Sequence, residues 1–128
     1  MERIEKQELL DSDDWPDAEI ACALCAIRRA NRLYGGNRMH KRLFRRVSSP
    51  FQGKTLQVLE VASAYGDVLQ DAALMLRKKN ISLEISLLDR SAEHLPKACH
   101  WHKDLRPPTL LTGDALAIPM ADNSVALG

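Results

Sequence analysis

Cysteine is scarce in this chain: the three present, Cys22, Cys25 and Cys99, are an odd set too sparse for a disulfide framework. Reduced thiols are therefore expected. Long apolar runs are missing too, none approaching the roughly 18 residues of a membrane span, so no transmembrane helix is predicted. The opening "MERIEKQELLDSDDW" is acidic and has no apolar centre, which excludes a secretory signal peptide. These absences predict a cytoplasmic protein. Internal repeats and low-complexity tracts are absent as well. What remains, 128 residues of which 45% are hydrophobic and 27% charged, suits one soluble globular domain and leaves little room for a second.

Acidic residues are missing from one long stretch. Residues 28 to 46 carry seven arginines and Lys41 with no acid, whereas residues 1 to 19 carry eight acids against Arg3 and Lys6. The net charge of +1 conceals this division between an acidic leader and a basic helical face. Arginines in "RRANRLYGGNRMHKRLFRR" could neutralise phosphates, with Tyr34 or Phe44 stacking on bases. The near-neutral total argues against nucleic acid as a partner, and the plainer reading is a solvated face whose arginines pair with the leader.

The rhythm of the chain changes near residue 54. Before it, Asp14, Pro16 and the Gly35–Gly36 pair bracket a helix whose Ile20, Leu24, Ile27 and Leu33 recur at helical spacing. A basic helix over about Arg38 to Val47 and the turn-forming "SSPFQGK" follow. Residues 1 to 53 are thus an acidic leader and helical extension. After it, strands alternate with helices: "TLQVLEV" (55 to 61), a helix over 67 to 80, "ISLEISLLD" (81 to 89), a helical stretch in "SAEHLPKACHWH", a third strand in "PTLLTGDA", and a fourth begun in "DNSVALG". That alternation predicts an α/β fold with a parallel sheet over residues 54 to 128.

Ligands of open parallel sheets collect beyond the carboxyl ends of the strands. The turn "EVASAYGD" lies at that edge, and Ala62, Ser63, Ala64 and Gly66 would let a ligand approach the backbone closely. Asp89 closes the second strand, where a carboxylate can accept from both hydroxyls of a ribose. Gly113, Asp114 and Ala115 close the third, in a position suited to contacting a base. A dinucleotide fingerprint would need glycines at Ala62, Ala64 and Asp67, and has none of them. A nicotinamide-dependent oxidoreductase is disfavoured on that ground. The pattern acid-x-G-x-G-x-G instead falls on Glu60, Ala62, Ala64 and Gly66, two glycines being replaced by alanine.

Taken in order, "VLEVASAYGDV", "LLDRS" and "LLTGDALAIPMADNSVAL" resemble the first three motifs, and the approach to the fourth strand, of class I S-adenosylmethionine-dependent methyltransferases. "RRANRLYGG" resembles a helical leader found on some small-molecule members. The resemblance implies an incomplete Rossmann-like parallel sheet of about four strands with an N-terminal helical leader. It implies S-adenosylmethionine as cofactor and a small-molecule acceptor. Glu60 would lie near the methionine amino group, and Ala62, Ser63, Ala64 and Gly66 beneath the amino-acid portion. Asp89, with Arg90 beside it, would hold the ribose, and Gly113, Asp114 and Ala115 would face the adenine. Alanine at 62 or 64 would be strained by roughly 1 to 2 kcal/mol if held at positive φ.

In family terms the sheet has seven strands and the sequence ends near the fourth, so the expectation is a truncated, cofactor-binding half in which catalysis by this chain alone is uncertain. Parallel sheets are covered on both faces. An exposed apolar face is therefore expected, formed by residues such as Leu56, Val58, Leu83, Ile85 or Leu87, and open to self-association or a partner chain. A non-catalytic interaction module pairing through that face is the alternative function.

Cys22, Cys25, Cys99, His100 and His102 invite a metal reading. Cys22 and Cys25 sit inside a helical pattern without the turn of a zinc knuckle, so they are expected as small buried hydrophobes and no metal is expected. His40 and His94 are expected at the surface.

Overall fold

A computed structural model describes residues 16–63, 66–90 and 101–126. Helix α1 (Asp17–Leu33) follows Pro16, whose φ of −57° already suits a helix start, and buries Ile20 and Leu24 on one side. It ends at Tyr34. Gly35, at φ 88°, then turns the chain directly into α2 (Gly36–Val47), so the glycine pair read as a stop is also a start. After a single 3-10 turn at Ser49–Phe51 come strand β1 (Thr55–Val61), helix α3 (Asp67–Arg77), strand β2 (Ser82–Asp89) and strand β3 (Thr109–Thr112).

The described strands form one sheet in the order β1-β2-β3, parallel throughout. The described residues are thus α/β, with three α-helices. Register places Leu56, Val58 and Glu60 beside Leu83, Ile85 and Leu87 on one face, and Gln57, Leu59 and Val61 beside Glu84, Ser86 and Leu88 on the other. Helices α3 and α2 cover the first face. Phe44 of α2 and Leu69, Ala72, Ala73 and Leu76 of α3 join Leu56, Val58, Ile85 and Leu87 in one buried cluster, with Leu83 packed at its margin. The basic helix is consequently part of the same core as the sheet.

The expectation of an exposed apolar face at Leu56, Val58, Leu83, Ile85 and Leu87 is therefore corrected: these are the residues the helices cover. The other face is mixed. Gln57 donates to Glu84 across it at 3.4 Å, and Leu59 and Leu88 are buried. The turn after β3 lies against Leu88, since a Cβ on Gly113 would stand 3.3 Å from Leu88 Cδ1 and from Pro119 Cδ.

The expected fourth strand is not formed within residues 122–126. That segment nevertheless returns to β1, where the Ala126 N–H donates to the Gln57 carbonyl at 3.0 Å. Having stepped from β1 through β2 to β3, the chain comes back past β2. Open α/β sheets place their ligands beyond the carboxyl ends of such parallel strands. Among the described residues no helix is long and apolar enough to cross a membrane.

Candidate functional site

Register sets Val61 beside Leu88, and Asp89 beside Thr112, so the carboxyl ends of the three strands come level. Loop backbone then ties the ends together. Ser63 N–H donates to the Leu88 carbonyl at 3.3 Å, Gly113 N–H to the Asp89 carbonyl at 3.0 Å, and Gly66 N–H to the Ser63 carbonyl at 2.8 Å. Glu60, Ala62, Ser63, Gly66, Asp89, Arg90 and Gly113 thereby share one edge of the sheet. Ala64 and Tyr65 lie outside the described residues. Asp114 and Ala115 follow at once, but Asp114 Oδ1 accepts from Leu116 N–H at 2.9 Å. That carboxylate caps its own turn.

Two described positions of the turn after β1, Ala62 and Gly66, have positive φ. Gly66, at φ 62°, admits no side chain: a Cβ there would come within 2.9 Å of both δ carbons of Leu87 and 3.2 Å of the Trp101 ring. Ala62, at φ 54°, adopts the same region with a Cβ, at a cost of roughly 1 to 2 kcal/mol. The strained residue therefore immediately follows the strand end. Helix α3 opens directly after Gly66, bringing its positive N-terminal end to the site.

Three buried oxygens here have no hydrogen-bond partner among the described residues: Glu60 Oε2, Ser63 Oγ and Asp67 Oδ2. Ser63 is only 7% exposed. Burial, with the Asp67 carboxylate adding to it, raises Glu60 from 4.5 to about 7. A buried polar group left unmatched costs about 1 to 3 kcal/mol, and these three flank the passage from β1 into α3, a place short of hydrogen-bond donors. A cationic or donor-rich group is its chemical complement. Asp67 was not among the residues the sequence singled out. An acid in the first turn of a helix reads as a partner for the helix dipole, and nothing local marks it as half of a carboxylate pair with Glu60. One turn further along α3, Asp71 is satisfied by Asn37 Nδ2 at 2.9 Å and by Lys41 Nζ at 3.4 Å.

The cysteine and histidine set does not assemble. Cys22 and Cys25 are exposed on α1, which corrects their expected burial: Ile20 and Leu24 take the inward row instead. Trp101 packs against the core, and Gln70 Oε1 accepts from the His102 main-chain N–H at 3.0 Å. His94, Cys99 and His100 lie outside the described residues. Among the described residues no group of three or more His, Cys, Asp or Glu side chains could hold a metal ion. His40 is half-buried rather than superficial, with Nδ1 3.0 Å from the Gly36 carbonyl.

The chain matches no family model, no curated protein and no solved structure.

Proposed function

We propose that the carboxyl edge of this sheet, as part of a Rossmann-like fold, holds S-adenosylmethionine, and that the protein is a methyltransferase acting on a small molecule. The observation that carries the reading is the trio of buried oxygens on Glu60, Ser63 and Asp67, unmatched among the described residues, at the carboxyl edge of the sheet. The cofactor's ammonium and hydroxyl groups are donors, so the residues present fit the group. The order of the motifs supports the same assignment. Ala62, which keeps a positive φ despite its Cβ, costs stability without closing the path of the turn.

In this reading Glu60 would hold the ammonium, a positive charge that favours its ionised form. Ser63 and Asp67 supply the neighbouring acceptors. Asp89 would take the ribose hydroxyls, and the backbone of Ala115, beside the turn that Asp114 caps, would face the adenine. When bound, the sulfonium supplies an activated methyl group, so the residues align donor with acceptor and need furnish no nucleophile.

The test is calorimetric titration of the purified chain, and of Asp89→Ala, with S-adenosylhomocysteine. Saturable binding that weakens at least about tenfold in the variant is expected, the loss of a hydrogen-bonded charge being worth about 1.5 to 3 kcal/mol. A folded parent protein that binds nothing would refute the reading and favour a non-catalytic interaction module.

A further inference from the structure

Helix α2 has a fixed inward side. Phe44 and Asn37 are buried, and Lys41 reaches Asp71 of α3. With 3.6 residues per turn, Arg38, Arg42 and Arg46 then form a row on the outward side, and Met39 and Leu43 form an adjoining one. Both rows are solvent-facing, Met39 being 63% exposed and Leu43 46%. Arg38, Arg42 and Arg46 make no ion pair among the described residues. No acid occurs between Glu19 and Glu60, and residues 1–15 of the acidic leader, the expected partner of these arginines, lie outside the described residues. Arg45, on the flank, donates through Nε to Met75 Sδ at 3.2 Å.

We infer that α2 docks sideways on a bilayer surface containing anionic phospholipids. The arginine row lies at the head-group phosphates, and Met39 and Leu43 enter the boundary between head groups and acyl chains. A basic helix face with adjoining exposed aliphatic residues binds such surfaces by both terms together. Because Phe44 anchors the helix in the core, it lies on the membrane and does not enter it. Nucleic acid fits this face less well. Its outward side has no aromatic ring to stack on a base, since Phe44 is buried and the His40 ring is engaged with Gly36. Exposed methionine and leucine would gain nothing from a phosphate backbone. Tyr34, exposed ahead of the helix, suits either surface and decides nothing. The inference stands apart from the proposed methyl transfer, since none of these residues belongs to the strand-end site.

The test is sedimentation of the full chain with phosphatidylcholine vesicles, with and without phosphatidylserine. Binding is expected only to the phosphatidylserine vesicles, and should fall as salt is raised. Each arginine near such a surface is worth about fivefold in affinity, so the triple variant R38Q/R42Q/R46Q should bind about a hundredfold more weakly. The pair M39S/L43S should lose about tenfold. Circular dichroism and the thermal midpoint check that both variants stay folded, as expected for exposed positions. Failure to bind phosphatidylserine vesicles would overturn the inference. So would affinity indifferent to M39S/L43S, or tighter binding to a short nucleic-acid duplex than to the vesicles.

Discussion

Replacing Glu60 by glutamine isolates the most unusual charge in the site. In the folded protein its carboxyl titrates at about 7 instead of 4.5, chiefly because it is buried and secondarily because Asp67 is close. Below pH 4.5 the group is protonated in both folded and unfolded chains and contributes no difference. Between 4.5 and 7 the folded state holds the extra proton, so stability falls as pH rises through this window. Above 7 both states are ionised and the whole penalty is present. A displacement of that size is worth about 3 kcal/mol at about 1.4 kcal/mol per pH unit. Glutamine occupies nearly the same volume without a charge. Urea unfolding followed by tryptophan fluorescence, at steps from pH 5 to pH 8, should show Glu60→Gln close to the parent at acid pH and more stable by about 3 kcal/mol at pH 8. Other titrating groups cancel in the difference between the proteins. Parallel pH profiles for the two would refute the burial argument.

Other substitutions probe the same edge and the core beneath it. Ala62→Gly should raise stability by roughly 1 kcal/mol, the relieved left-handed strain exceeding the added freedom of the unfolded chain, as read from the thermal midpoint. Gly66→Ala should lower it by about 2 kcal/mol or more, because the new methyl meets Leu87 as well as an unfavourable φ. Phe44→Ala should cost about 3 to 5 kcal/mol in urea unfolding if α2 shares the sheet's core; a change below about 1 kcal/mol would detach the helix from it.

Elements whose signals are local were legible. "TLQVLEV" is β1 as read, and α3 and β2 follow in the expected places. Helix α3 stops at Arg77 instead of running to residue 80, and Asn80 at φ 58° completes the turn into β2. Which sheet face would be covered was not legible. β1 has apolar residues on both faces, Leu56 and Val58 on one, Leu59 and Val61 on the other, and only the docking of α2 and α3 distinguishes them. The exposure of Cys22 and Cys25 was hidden for a similar reason: α1 is rich in small residues all round, so Ile20 and Leu24 alone fix its inward side. Of the candidate site, the placement of Glu60, Gly66 and Asp89 follows from strand ends that the alternation reveals. The carboxylate pair of Glu60 with Asp67 is a through-space relation across a turn, which no spacing rule encodes. The return of Ala126 to β1 is likewise a long-range contact.

The measurement closest to the central claim is calorimetric titration with S-adenosylhomocysteine at pH 8, on the parent and on Glu60→Gln. At that pH, above its raised value of about 7, Glu60 is mainly ionised. The account expects saturable binding by the parent and an affinity at least about tenfold lower for the glutamine variant, a charge-assisted hydrogen bond having become a neutral one. Equal affinities would remove Glu60 from the site, and the absence of binding by a folded parent would contradict the account as a whole.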